Sequence, residues 1–141
     1  MAEALLNRYI ARDFFVYNTV HSVVVAGTSN TQTININADS DFQIEKLTFF
    51  ADIAAAGQNN STRVIPLATV LIVDSGSGRQ FSDQAFPIAS LFGNGQIPFV
   101  LKQPKILSAR TSISVVVANF DAVNTYNLRL SFIGSKLFLR N

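Results

Sequence analysis

The sequence predicts an all-β domain, a β-sandwich or jelly roll, and three observations favour this class. Short apolar segments follow one another along the chain, separated by turn residues at fairly even spacing. Several segments alternate strictly between apolar and polar side chains, as strands with one buried face do. No helical pattern of about 10–15 residues lies between them, so a fold of alternating strands and helices is excluded. The class is therefore a sandwich or jelly roll.

The first thirteen residues differ from the rest of the chain. Their apolar residues recur at near-helical spacing, at Leu5, Leu6, Tyr9 and Ile10. Residues 1–13 are therefore expected to form a short helix or an extended arm. Residues 14–141 are expected to form one β-sandwich domain, because no linker or internal repeat divides them.

The next strands carry clear patterns. Thr31–Asn37 alternates, so one face of it is buried. In Phe42–Ile53 the apolar positions change parity near Glu45–Lys46. Since strand side chains alternate between faces, this predicts a β-bulge or a change of sheet, with Phe42 and Leu47 both facing the core.

The remaining strands follow the same rules. Three further strands are predicted beyond the middle of the sequence, at Val64–Val73, Gln96–Leu101 and Ser112–Phe120. Thr125–Leu139 alternates well, and its parity changes after Gly134. We therefore expect Gly134 to break this last strand.

Composition excludes several classes of partner. Charged residues make up 14% of the chain, where about 25% is typical, and the net charge is only +2. Lysines and arginines are spread out rather than clustered beside aromatic residues, so no nucleic-acid partner is expected. No apolar run reaches about 18 residues, and no signal peptide is expected, so no membrane partner is predicted. There is no cysteine, hence no disulfide and no thiolate metal site.

The loop after the predicted strand Val64–Val73, "DSGSGRQ" at 74–80, invites comparison with a phosphate-binding loop. A P-loop needs a lysine after its last glycine and a following helix. Here Arg79 follows, and Pro87 leaves no room for a long helix. We interpret the loop as a turn in which Gly76 and Gly78 adopt positive φ and the Asp74 side chain caps the backbone.

No catalytic, cofactor-binding or metal-binding residue is predicted. His21, the only histidine, lies within the apolar segment "TVHSVVV", so a structural role is favoured over a catalytic triad. Asp39 and Asp41 share a turn, where turn formation is favoured over a Ca²⁺ site because further oxygen ligands are missing. Paired carboxylates for glycoside hydrolysis are not favoured either, since only two glutamates are present. The chain is therefore expected not to be an enzyme, and no small-molecule ligand is expected.

Residues 40–139 resemble a known family. The pieces that carry the resemblance are "DSGSGR", "LFGNGQIPFVL", "NFD" and "YNLRLSFIGSKLF". They are similar to the capsid cement, or decoration, proteins of tailed bacteriophages. The resemblance implies a jelly roll that sits on the outside of the virion and bridges neighbouring major capsid protein subunits as a homodimer. It also implies synthesis in the host cytoplasm.

Two alternatives remain open beside the cement function. One is a carbohydrate-binding jelly-roll module, and the other is a different head or tail component of a phage. A short terminal helix is marginal alone in water, so its apolar side is expected to rest on a neighbour. The segment 87–101 is the other candidate contact. The predicted protein–protein interface residues are Leu5, Leu6, Tyr9, Ile10, Leu91, Phe92, Ile97 and Phe99.

Overall fold

The structure is a computed structural model that describes residues 9–54, 64–94 and 96–139; the side chains of Tyr9, Ile10 and Leu139 are not among the described features. It contains nine strands and one short helix over these ranges: β1 (Tyr9–Val24), β2 (Ser29–Asn35), β3 (Asp41–Ile53), β4 (Ala68–Asp74), β5 (Arg79–Gln80), β6 (Phe86–Pro87), α1 (Ile88–Leu91), β7 (Phe99–Leu107), β8 (Ser112–Asn119) and β9 (Tyr126–Leu139).

The strands form two antiparallel sheets. The first has the order β1-β9-β3-β7, and the second has the order β2-β8-β4-β5, with β6 also paired to β4. From the two ends of the chain inward, strands pair in succession: β1 with β9, β2 with β8, β3 with β7 and β4 with β5. One long antiparallel ribbon has thus been rolled up, bringing β9 onto β3 and β8 onto β4. This is the jelly-roll arrangement, and the predicted all-β sandwich is confirmed.

The core lies between the two sheets. Strict alternation in β8 turns Ile113, Val115 and Val117 inward, as its sequence pattern predicts. Leu128 and Leu130 of β9 face them from the other sheet. Burial of these side chains is the main favourable term that holds the two sheets together.

The predicted irregularity in β3 is a β-bulge. The pairing of β3 with both of its neighbours shifts between Ile44 and Lys46, which leaves Glu45 as the extra residue. As a result Phe42 and Leu47 are both buried, each with 1% of its surface exposed. The parity switch in the sequence therefore identified the bulge correctly.

The expectation that Gly134 ends a strand is wrong. Strand β9 continues through Gly134 to Leu139. Gly134 lies opposite Ile44, at the bulge, and a Cβ atom there would overlap the carbonyl oxygen of Gln43. The glycine is needed for this close approach of two backbones, not to interrupt the strand.

The N-terminal expectation is corrected in part. Residues 1–8 lie outside the described residues. Tyr9–Asp13 form the beginning of β1, so the helix alternative is wrong for them, and the predicted boundary after Asp13 falls inside a strand. The reason is long-range pairing, because β9 supplies partners for this backbone from Lys136 to Leu139.

Candidate interaction surfaces

The predicted contact segment 87–101 lies along β3 on the side opposite β9 and continues into β7. After α1 the chain passes Gly93, whose N–H donates to the Leu47 carbonyl at 3.1 Å. The Gly93 carbonyl accepts from the Phe49 N–H at 2.8 Å. A Cβ at Gly93 would overlap the backbone of Ile97 and Phe99, so only glycine permits this path.

Phe92 is a core residue, and its assignment to an interface is therefore wrong. Its exposed fraction is 3%, and its ring stacks on Phe86 at 6.3 Å between centroids and meets Phe132 edge-on at 5.9 Å. Leu91 and Phe99 are half-buried and pack against the same core. Phe92 therefore has little surface left for a partner, whereas Leu91 and Phe99 remain partly exposed and their place in an interface stays a prediction.

Ile97 does lie on the surface, with 76% of its area exposed. Its turn is closed by Asn94, whose Oδ1 accepts from the N–H groups of Gln96 at 2.9 Å and Ile97 at 2.8 Å. The backbone N–H of Asn94 in turn donates to the Ile97 carbonyl at 3.1 Å. The turn thus presents an apolar side chain on a hydrogen-bonded support.

The four N-terminal interface candidates remain predictions. Leu5 and Leu6 lie outside the described residues. Tyr9 and Ile10 are at the start of β1, where Tyr9 pairs with Leu139. Their side chains are not among the described features of the structure.

Beside the Ile97 turn lies an open groove of about 700 Å³. Its described lining carries no ionisable group and combines apolar, hydroxyl and amide side chains. Six of these residues are Thr48, Phe50, Ile65, Asn94, Gln96 and Ser131. Such a surface has no acid or base for catalysis but offers hydrogen-bonding groups to a neutral ligand.

A further set of exposed apolar residues, which the sequence patterns did not predict, lies at one end of the sandwich. We call this set the apolar end. It comes from the end of β1 and the turn after it, the segment before β4 and the β8–β9 loop: Val23, Val25, Leu67, Phe120 and Val123. Single exposed apolar residues are ordinary, but a cluster marks an interaction site. The sequence motif "NFD" at 119–121 is the signal that lay closest to it.

His21 has the structural role that its sequence context favoured. It is fully buried, with Nδ1 2.7 Å from Asn30 Oδ1 and Nε2 3.1 Å from Thr19 Oγ1. Since an amide oxygen only accepts, Nδ1 carries the proton and Nε2 accepts from the Thr19 hydroxyl. Burial lowers the pKa of His21, although the Asn30 hydrogen bond acts in the opposite direction. This imidazole–hydroxyl pair lies where no substrate reaches it.

The "DSGSGRQ" loop is the hairpin turn between β4 and β5. Asp74 caps it as expected, because Oδ1 accepts from the Gly76 N–H at 2.9 Å and Oδ2 accepts from the Ser77 hydroxyl at 3.1 Å. Gly78 has the expected positive φ of 70°. Gly76 does not, and its expectation is wrong; a Cβ there would instead press against the Thr111 side chain.

Separate partners hold the carboxylates of Asp39, Asp41 and Asp121. Asp39 lies 3.7 Å from Lys136 Nζ, whereas Asp41 accepts from the Ala109 N–H at 2.9 Å. Asp121 accepts four hydrogen bonds, three from its own loop and one from the Tyr126 hydroxyl at the start of β9. Asp52 is fully buried opposite Asn127, and neither of its carboxylate oxygens has a hydrogen-bond partner. Within the described ranges no three His, Cys, Asp or Glu side chains cluster as a metal site would require.

A solved structure has a similar fold, whereas known families and curated proteins do not match the sequence. No model of a known protein family matches the sequence, and no curated protein matches it. Among solved structures, the fold is similar to one described as "Crystal structure of infectious bursal disease virus VP2 subviral particle", with 11% identity and a TM-score of 0.36. The match covers 89% of this chain and 33% of that one, so the chain spans about a third of its length. A similarity this low carries no argument about function. No helix among the described residues has the length and hydropathy to span a membrane.

Proposed function

We propose that this chain is a non-enzymatic virion structural protein. It binds the outside of a phage capsid and cements neighbouring subunits of the major capsid protein. The observation that carries the proposal is the clustering of exposed apolar side chains at the apolar end of a sandwich whose sequence is only 14% charged. A patch of this kind favours contact with other proteins. The resemblance of residues 40–139 to phage cement proteins supports the capsid as the partner.

The low charge also suits this function. Cement proteins are crowded on a shell, and few charges mean little repulsion between neighbouring copies. Each contact can be weak, because a bridge between two subunits turns the second contact into an intramolecular one. A homodimer would add further contacts to each bridge.

The absence of enzymatic activity is part of the proposal. The titratable groups with specific partners are engaged in holding the fold. His21 is buried against Thr19 and Asn30, and the carboxylates of Asp74 and Asp121 close turns. The groove beside β3 offers no general acid or base among its described residues. We likewise propose no cofactor, no nucleic-acid partner and no membrane partner.

The test is binding to shells assembled from the major capsid protein of the same virus. The purified chain should co-sediment with the shells, saturate at a fixed ratio to the capsid subunit and raise the temperature at which shells disassemble. Synthesis in the host cytoplasm followed by addition to the exterior predicts binding to fully assembled, closed shells. Failure to co-sediment at any ratio would overturn the proposal.

Carbohydrate binding is the second candidate, and the neutral groove favours it. Asn94, Gln96 and Thr48 can exchange hydrogen bonds with sugar hydroxyls, and jelly rolls occur in both capsid and lectin domains. Binding of the isolated chain to a glycan array, reduced by replacing Gln96 with alanine, would favour this function. Shell binding without glycan binding would favour cementing. A different head or tail location would instead give binding to that component and not to shells.

A further inference from the structure

The apolar end joins three separate segments through hydrogen bonds. The Phe120 N–H donates to the Leu67 carbonyl at 3.0 Å. The side-chain amide of Asn119 donates to the Val24 carbonyl at 3.0 Å and to the Asn124 carbonyl at 2.9 Å. Asn119 thus fastens the end of β1 to the β8–β9 loop, and all three segments lie at the same end of the sandwich.

The loop that carries Phe120 and Val123 is held by Asp121. Its Oδ1 accepts from the N–H groups of Val123 at 2.8 Å and Asn124 at 3.1 Å. Its Oδ2 accepts from the Asn124 side-chain amide at 3.1 Å and the Tyr126 hydroxyl at 2.5 Å. The loop is therefore ordered before any partner arrives, which lowers the entropic cost of binding.

Val23 gives an independent indication that this end presents apolar side chains to a partner. Its φ is 54°, a left-handed conformation that is a real outlier for a β-branched residue. The strain coincides with the register shift of β1 between His21 and Val24, and the Val23 N–H donates to Asn127 Oδ1 at 2.9 Å. Strained, bulged positions of this kind re-aim a side chain and gather at functional sites. Here the side chain is 60% exposed.

We propose that the apolar end docks onto an uncharged apolar site on the outer surface of the major capsid protein. This inference rests on the proposed function. Neither lysine nor arginine occurs in the three segments of the apolar end, residues 22–28, 65–67 and 119–125. Their single acid is Asp121, whose carboxylate oxygens both accept hydrogen bonds within the protein. An anionic membrane or a nucleic acid would require basic residues around the patch. A neutral protein surface is the complementary partner.

The size of the patch argues against a second copy as the occupant. The five side chains expose from 49% to 82% of their areas. Together they offer on the order of 500 Å² of apolar surface, the upper range for a monomer, against about 800 Å² per partner in a stable complex. Such a contact is too small to hold two free molecules together. It becomes effective on a shell, where each bridging molecule makes more than one contact.

The test compares two variants of the full chain in shell co-sedimentation. The double variant Phe120→Ser, Val123→Ser removes half-exposed and highly exposed apolar groups without altering Asp121. The control Phe14→Ser removes a side chain that is 76% exposed on the outer face of the first sheet. We expect the double variant to lose about tenfold or more in shell affinity, and the control to stay within about twofold.

Each other outcome is decisive. If the wild-type chain does not bind shells, the proposed function fails, and the docking site with it. If the wild type binds and the double variant binds equally well, cementing stands but the docking surface is wrong. Flotation with vesicles of neutral or anionic phospholipid, or a dimer in sedimentation velocity that the double variant abolishes, would also overturn it. Should the double variant melt earlier than the wild type, Val25→Ser provides the same test outside the Asp121 loop.

Discussion

Gly134 of β9 lies so close to Gln43 of β3 that a Cβ atom at Gly134 would overlap the Gln43 carbonyl oxygen. Replacing Gly134 with alanine should therefore force the two strands apart at the bulge. We expect a loss of about 1–3 kcal/mol or more in the free energy of unfolding, measured by chemical denaturation.

Gly78 provides the matched comparison. An added Cβ there meets nothing within 4 Å, and the cost of Gly78→Ala comes only from its positive φ of 70°. That cost is about 1–2 kcal/mol. If Gly134→Ala is milder than Gly78→Ala, the bulge accommodates a methyl group and the close approach is not essential.

The bulge at Glu45 also gives a prediction for the core. Phe42→Ala and Leu47→Ala should each cost about 2–5 kcal/mol of unfolding free energy, because both side chains are buried on either side of the extra residue. Lys46→Ala, at an exposed position between them, should stay within about 0.5 kcal/mol. Equal tolerance at Phe42 and Lys46 would mean that the strand has a different register.

Sequence patterns predicted the bulge but not the role of Gly134, and the difference is physical. Parity along β3 is a local property, so the switch near Glu45 can be counted from one strand. The need for glycine arises from β9 meeting β3, which are about ninety residues apart in sequence. The same limit applies to Tyr9–Asp13, whose helical spacing is overridden by pairing with β9.

The candidate surfaces show the same difference between local sequence patterns and contacts that only the fold creates. Ile97 and Phe92 both belong to an apolar segment, and only packing against Phe132 distinguishes the buried one from the exposed one. The apolar end could not be predicted, because Val23 at the end of β1 and Phe120 after β8 are distant in sequence and the fold brings them together. Hydropathy reports that a residue is apolar and does not report whether a partner strand covers it.

The buried His21 should make the stability of the protein depend on pH. Burial lowers its pKa, so below the ordinary value of 6.5 the unfolded chain takes up a proton that the folded chain refuses. Stability is therefore full above pH 6.5 and falls as the pH drops through 6.5 toward the lower folded pKa. Melting temperatures between pH 7.5 and 5 should show this decline, and His21→Gln should flatten it. Because the chain has one histidine, an unchanged slope in the variant would assign the effect to another kind of group.

Asp121 should stabilise the β8–β9 loop in its ionised form. Several hydrogen bonds hold the pKa of Asp121 well below its ordinary value of 3.8. The largest effect comes from the Tyr126 hydroxyl, and the backbone N–H groups of Val123 and Asn124 add to it. Its contribution is therefore present above pH 3.8 and is lost as the pH falls below it. Asp121→Asn should lower the melting temperature at pH 7, and the difference from wild type should shrink below about pH 4.

The exposed Asp83 is the control for this measurement. Asp83→Asn removes the same charge without a described hydrogen bond and should leave the melting temperature unchanged. If the two variants behave alike at pH 7, net charge rather than the Asp121 loop accounts for the effect.

Phe92 and Ile97 lie five residues apart, yet mutation should destabilise the fold strongly at Phe92 and hardly at all at Ile97. Phe92→Ala removes a ring packed between Phe86 and Phe132, and should cost about 3–5 kcal/mol of unfolding free energy. Ile97→Ala removes a surface side chain and should change that free energy by no more than about 0.5 kcal/mol. In co-sedimentation with shells, Ile97→Ala should lower occupancy if the 87–101 segment is a second capsid contact, as bridging two subunits requires. Unchanged occupancy would remove Ile97 from the interface, and a stable Phe92→Ala would show that the segment is not part of the core.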